Sequence, residues 1–290
     1  MTTSALAEPQ SLVREMIRKV SSIATLPEVT ARIITTVEDP NSSAAQLHAI
    51  VAHDPALVTR VLKVVNSAFY GLPGQIASIE RAIVLLGLNA IKNIAIAASI
   101  GQLFRGVKLT DRFTARDLWT HCIAVGVCAR DLARRMKLPI ADEAFLAGMI
   151  HDVGTLVALQ VCRDKLAEVC QAASSADQDF CALELQIIGV DHQQLGQALC
   201  EQWKFPRPCQ LVAGFHHRPE ALASEHRVLV GLVHVADTLC CAGGHGFNLT
   251  ALNQKLDDVT LAQLRLDPIV VAQTREALPE LVANSSRIFA

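Results

Sequence analysis

The run Ala82-Ile-Val-Leu-Leu-Gly87-Leu-Asn-Ala-Ile-Lys92-Asn-Ile-Ala-Ile-Ala-Ala-Ser99-Ile-Gly-Gln-Leu-Phe104 decides the fold class. It reads as the most apolar long window of the chain, so it either crosses a bilayer or folds inside a protein. Asn89, Lys92, Asn93 and Ser99 interrupt it. A Lys near the centre of a span costs roughly 2.5–3.5 kcal/mol on insertion scales, so a buried helical hairpin is the better reading. Upstream, Ser78-Ile-Glu-Arg81 offers a helix start, and Asp54-Pro55 places an N-cap before a proline at the first helical position. Val58, Val61, Leu62 and Val65 follow at helical spacing, as do Leu12, Glu15, Met16 and Lys19. Downstream, a helix is expected from Thr114 to Met136. Pro40, Gly71 to Gly74, Pro139 and Pro206 to Pro208 punctuate these segments. No period-two alternation is sustained, and neither Asn-Gly nor Asp-Gly marks a hairpin. The expected fold class is all-α.

Composition agrees. Of 290 residues, 51% are hydrophobic, 19% charged and only 4% aromatic, so the apolar share comes from the aliphatic side chains of packed helices. High hydrophobicity with little charge excludes a generally disordered chain. With 26 basic and 28 acidic residues the formal net charge is -2, which provides no global field for nucleic acid or an anionic membrane. Nine cysteines cannot all pair, and none forms a CxxC, so free thiols in a reducing cytosol are expected. Met1 to Gln10 has no basic region ahead of an apolar stretch and does not read as a signal peptide.

Charge and histidine divide the chain. Residues 1–110 hold 10 basic and 7 acidic groups, a net +3, whereas residues 111–245 hold 12 and 16, a net -4. Eight of the ten histidines lie between 121 and 245. The expected organisation is an N-terminal helical subdomain (1–110), a helical core (111–245) and a helical tail (246–290). The boundaries fall at the connector Arg105 to Asp111 and at Gly243-Gly-His-Gly246.

The histidine-rich part contains His151-Asp152, followed by Val153 and Gly154. Adjacent His and Asp near a helix end can face one metal, because their donor atoms reach different distances from neighbouring backbone positions. His121 lies upstream; His192, His216-His217 and Asp237 lie downstream. Imidazole and carboxylate together suit Mn, Fe or Zn. A metal with an open position can activate water for attack on phosphorus. His48, His53, His226 and His245 read as surface or capping residues, and His234 as a packing neighbour of Asp237.

His121, His151-Asp152 and Asp237, in that order, resemble the ligand pattern of the HD superfamily of metal-dependent phosphohydrolases. More narrowly, the chain is similar to the HDOD domain, the HD-related output domain of bacterial signalling proteins. The matching text runs through Leu26-Pro27, His53-Asp-Pro-Ala-Leu57, Leu62-Lys-Val-Val-Asn-Ser67, Ile79-Glu-Arg-Ala-Ile83 and Leu86-Gly87. It continues through Leu118-Trp-Thr-His121, Ala147-Gly-Met-Ile-His-Asp-Val-Gly154, His192-Gln-Gln-Leu-Gly196, Trp203 and Pro206. The resemblance implies an HD-like helical bundle behind an N-terminal helical subdomain. It implies His121, His151, Asp152 and Asp237 as ligands of one metal, with His192, His216 and His217 adding a second. Asp152 and His192 are the candidates for a catalytic role.

Two departures stand out. Relatives that hydrolyse cyclic dinucleotides continue His-Asp-x-Gly with a phosphate-contacting Lys; here that place is Thr155, whose hydroxyl supplies no charge. Arg218-Pro219-Glu220 follows His216-His217 in place of a Gly-Tyr-Pro signature. The resemblance therefore implies a signalling output module acting by protein interaction, with hydrolysis of a nucleotide phosphoester as the alternative. The N-terminal third reads as a helical unit packed on the core. Its slight positive excess and its single adjacent aromatic pair, Phe69-Tyr70, argue against single-stranded nucleic acid, which needs stacking platforms.

Overall fold

The structure, a computed structural model, describes residues 7–289 apart from 24–25, 38–41, 68–69, 105–107, 111 and 176–177. Pro40, Phe69 and residues 105–107 and 111 of the expected connector thus lie outside the described residues. Every regular element among the described residues is helical, and the only β-type pairing is one bridge between Lys108 and Thr114. The all-α expectation holds.

The first helices are α1 (Ala7–Ile23), α2 (Glu28–Val37), α3 (Ala44–Ala52), α4 (Pro55–Val65), α5 (Ile79–Leu86) and α6 (Leu88–Ile100). The middle of the chain forms α7 (Ala115–Arg135), α8 (Ala141–Ile150), α9 (Val153–Val161), α10 (Arg163–Ser175) and α11 (Phe180–Ile187). It continues with α12 (His192–Gln202), α13 (Arg207–Phe215) and α14 (Arg227–Ala242). The last two helices are α15 (Asp258–Gln263) and α16 (Pro268–Phe289).

The caps sit where the residue types place them. The Leu57 N–H donates to the Asp54 carboxylate at 2.9 Å, with Pro55 opening α4, and the Arg81 N–H donates to the Ser78 hydroxyl at 3.2 Å. Thr114 and Asp117 close a reciprocal capping box that fixes the start of α7.

The apolar run that opened the reading is a helical hairpin. Gly87, at φ +87°, ends α5 and begins α6, dividing the run into helices of 8 and 13 residues, both too short to span a bilayer. The Ser99 hydroxyl donates to the Ala95 carbonyl at 2.9 Å, so it is satisfied within α6. The stretch among the described residues that is long and apolar enough to cross a membrane lies elsewhere, at Ala141–Val161, and 89% of its apolar window is buried in the protein. It is a core element of the bundle, bent at His151-Asp152.

One apolar cluster runs from Met16 in α1 to Val282 in α16. Helix α7 is its spine, packed against α8, α14 and α16, while α1 lies on α9 and α12, and α6 touches α2, α4, α5 and α8. Helices α9 and α12 cross in backbone contact. A methyl group at Gly154 would fall on the His192 carbonyl oxygen and 2.6 Å from the Gly196 nitrogen, so only glycine permits this approach. All nine cysteines are free thiols, and those at 122, 128, 170, 181, 200, 209, 240 and 241 are buried, in keeping with their expected role as small hydrophobes.

Candidate metal centre

Helix ends position most of the expected ligands. His151 is the C-cap of α8 and Asp152 the N-cap of α9, so one tight turn presents two consecutive side chains to the same point. His192 opens α12 behind the N-cap Asp191, and His216 ends α13 with His217 following. His121 and Asp237 face inward from α7 and α14.

The structure brings all seven together. They form two groups, His121, His151 and Asp237 on one side and Asp152, His192, His216 and His217 on the other; within each, the donor atoms lie within 4.8 Å of one another. Asp152 joins the groups. Its Oδ1 is 3.4 Å from His192 Nε2 and 3.5 Å from His216 Nε2, while its Oδ2 is 3.5 Å from His151 Nε2 and 3.9 Å from His121 Nε2. Asp237 Oδ1 lies 3.0 Å from His121 Nε2 and 3.8 Å from His151 Nε2, and its Oδ2 lies 3.7 Å from His217 Nδ1.

The outer face of each ring is committed. His151 Nδ1–H donates to the Gly148 carbonyl at 2.7 Å, and His216 Nδ1–H to the Val212 carbonyl at 3.0 Å. His121 Nδ1 faces the His245 carbonyl at 3.3 Å, His192 Nδ1 the Glu184 carboxylate at 2.5 Å, and His217 Nδ1 the Gln254 side-chain oxygen at 3.0 Å. Carbonyl and carboxylate oxygens only accept, so each ring carries a proton on Nδ1 and turns its Nε2 inward. His192 Nε2 then lies 3.3 Å from His216 Nε2 and 3.1 Å from His217 Nε2, so three inward ring nitrogens face one another. His151 Nε2, both Asp152 oxygens and Asp237 Oδ2 are buried with no hydrogen-bond partner. Uncompensated buried acceptors cost stability. Divalent cations would satisfy them, and an imidazole–carboxylate set suits Mn, Fe or Zn.

The electrostatics agree. Burial pushes His151 down to about 4, so this ring is neutral at physiological pH. Burial and the neighbouring His216 hold His217 well below its ordinary value. Burial would raise both carboxyls, but the rings around them win: His151, His216 and His192 hold Asp152 well below the carboxylate range, and His121 with His151 does the same for Asp237. Burial also opposes charge on His192, yet the Glu184 carboxylate outweighs it and lifts the ring to about 10. Two buried anions face imidazoles, and a divalent ion entering here would displace the proton that His192 holds.

Some partners were missed by sequence reasoning. Glu184, fully buried in α11, holds His192; its cue was a lone acid in the run Phe180 to Val190, where Gln186 is the one other polar side chain. Gln254 and the His245 carbonyl come from the segment after α14. There Gly246, at φ +74°, lets the backbone press on α7, since a Cβ would sit 2.6 Å from the His121 nitrogen. His234, expected as a packing neighbour, points its Nδ1 at the His216 carbonyl at 2.7 Å. His48, His53 and His226 lie outside the centre; His48 pairs with Glu80 at 2.8 Å.

A helical bundle that gathers His, His-Asp, three further histidines and Asp at one buried point defines the HD type of centre. The chain belongs to the HDOD domain family, which matches residues 23–219. An uncharacterized protein of Treponema pallidum (strain Nichols) is 26% identical over 221 residues, covering 76% of this chain; the match spans only 42% of that relative's length. Among solved structures, an HDOD domain protein of unknown function from Geobacter sulfurreducens superposes with a TM-score of 0.83 at 23% identity, over 98% of this chain and 99% of that one. A signal transduction protein, so described provisionally, from Marinobacter aquaeolei VT8 gives 0.74 at 21%, over 99% and 67%. A candidate phosphohydrolase from Shewanella amazonensis SB2B gives 0.72 at 23%, over 95% and 98%. At these identities the structural likeness speaks for the fold.

Proposed function

We propose that this chain is an output module of bacterial signal transduction that acts by contact with other signalling proteins, and that its His/Asp centre holds one or two divalent ions as part of its framework. The burial of the centre carries this reading. Six of the seven ligand residues have no exposed surface, and the His217 side chain is 7% exposed. A metal ion needs donors alone, whereas a nucleotide needs an opening. Thr155, one turn beyond Asp152, is also buried and offers no charge for a phosphate.

In this reading His121, His151 and Asp237 hold one ion, His192, His216 and His217 the other, and Asp152 offers one oxygen to each. A bound divalent ion supplies charge and Lewis acidity at that point. The residues tie α7, the α8–α9 turn, α12, α13 and α14 together, so occupancy sets how those helices pack and what their outer faces present. The net -4 of residues 111–245 favours protein over nucleic acid as the partner.

The completeness of the ligand set favours one second reading, metal-dependent hydrolysis of a nucleotide phosphoester, with Asp152 and His192 against the reacting group. Elemental analysis of protein purified without chelator separates the two, followed by incubation with cyclic dinucleotides and nucleoside phosphates. The output reading expects about one or two metals per chain and no product. Product release from the metal-loaded protein that an Asp152→Ala variant lacks favours hydrolysis. No metal after loading with Mn, Fe or Zn overturns the metal centre in both readings.

A further inference from the structure

Glu184 belongs to no ligand group defined above, yet it grips one ligand twice. Its Oε2 accepts from the His192 backbone N–H at 2.9 Å and faces His192 Nδ1 at 2.5 Å. A single oxygen thus fixes both the first residue of α12 and the rotation of its ring. The rest of α11 supports this hold. The Phe180 ring stands edge-on to the His192 ring at 6.0 Å, and the next residue of α12, Gln193, donates to Cys181 Sγ at 3.6 Å and accepts from the His217 N–H at 3.1 Å. Glu184 is fully buried, and its second oxygen has no hydrogen-bond partner. A buried carboxylate with one free oxygen is a costly component of a core. Its reward is found on His192, whose Nε2 it directs toward His216, His217 and Asp152.

We propose that Glu184 is a positioning residue that locks His192 as an Nδ1–H ring with its Nε2 aimed into the centre, and that it thereby sets the affinity of the group Asp152, His192, His216 and His217 for a divalent cation. This rests on the metal reading of the centre. A partner that orients a metal-bound histidine is commonly worth about 10–100-fold in affinity. A rival role exists, because Cys181, Glu184 and His192 also bring donor atoms within 4.8 Å of one another, so Glu184 could itself be a ligand.

The test uses the full chain with Glu184→Ala, Glu184→Gln and Cys181→Ser. Calorimetric titration with Mn or Zn measures each binding step, and ring-nitrogen NMR of the metal-free protein, labelled at histidine and followed across pH, reads which His192 ring nitrogen keeps its proton last. Glu184→Ala is expected to weaken one binding step by about 10–100-fold and to leave the other within about twofold. It is also expected to erase the preference of the last His192 proton for Nδ1, the tautomer that Glu184 selects. Glu184→Gln keeps an acceptor and is expected to retain the tautomer and recover most of the affinity. Cys181→Ser is expected to bind as the parent does. Unchanged binding and tautomer in a folded Glu184→Ala protein overturn the proposal, as does equal loss at both steps. Loss of affinity in Cys181→Ser matching that of Glu184→Ala makes Glu184 a ligand and overturns it too. If the parent protein binds no metal, the metal reading fails by itself. The tautomer then decides about Glu184 alone: kept in Glu184→Ala it sinks the positioning role, and lost it upholds it.

Discussion

The helices before residue 110 and the bundle after it bury similar side chains in different company. In α2 to α6 the interior is aliphatic, and the buried polar residues are Thr30, Asn93 and Ser99. Around α7, α9, α12 and α14 the interior holds His121, His151, Asp152, Glu184, His192, His216, His234 and Asp237. The first interior is stabilised by burial itself, about 1.5–3 kcal/mol for each large aliphatic side chain. The second contains three carboxylates, Asp152, Glu184 and Asp237, with oxygens that have no hydrogen-bond partner, and it becomes favourable when positive charge occupies it. Two cores in one apolar cluster thus depend on different conditions.

The largest effect that sharpens this contrast comes from Asp152→Ala. Because its two oxygens face the two donor groups, both binding steps are expected to weaken by 100-fold or more, roughly the loss of a shared ligand plus its ordering of the rings. Titration calorimetry checks it, and retention of either step would break the bridging role. Ile94→Ala in α6 is the counterpart. A cavity at this buried position is expected to cost about 2–5 kcal/mol in denaturant unfolding, with the metal content of the folded protein unchanged.

Chelation comes next. Metal at 100 times its dissociation constant stabilises by about 2.7 kcal/mol, so removing it with EDTA is expected to lower Tm by about 5 °C. Equal Tm with and without chelator would place the ions outside the framework.

The metal-free protein should also show a peak of stability against pH. His151 is held at about 4, below its ordinary 6.5, so the unfolded chain binds the extra proton between those values and stability is lost as pH falls from 6.5 toward 4. His192 is raised to about 10, so the folded chain keeps the extra proton above 6.5 and stability is lost as pH rises from 6.5 toward 10. Urea midpoints across this range in EDTA are expected to be highest near 6.5; a monotonic profile would contradict one of the two shifts. The smallest effect belongs to the outlying histidines. His48→Ala and His226→Ala are expected to move stability by no more than about 0.5 kcal/mol and to leave metal content unchanged.

The sequence made the ligands legible because they fall in a recognisable order, with four of the seven in the pairs His151-Asp152 and His216-His217 flanked by glycine and apolar residues. Helix starts at Asp54-Pro55, Ser78 and Thr114 were legible because capping is local chemistry. Glu184, Gln254 and the His245 carbonyl were hidden, since each meets its histidine only where two helices or a loop and a helix come together. The same reason hid the seat of α1 on α9 and α12. A periodic apolar face announces that a helix is buried without naming its partner. The hairpin at Ala82–Phe104 was legible from the polar residues that interrupt it, whereas its exact break at Gly87 depends on a backbone conformation that composition does not register.

The crossing at Gly154 sets a tolerance. Asp152 rides on α9 and His192 on α12, and the distance between these two walls is set by a bare Cα at their point of contact. A single added methyl would act as a wedge between the walls that carry Asp152 and His192, falling on a carbonyl oxygen and so far inside van der Waals contact. The gauge of the centre is therefore kept by a residue that carries no side chain.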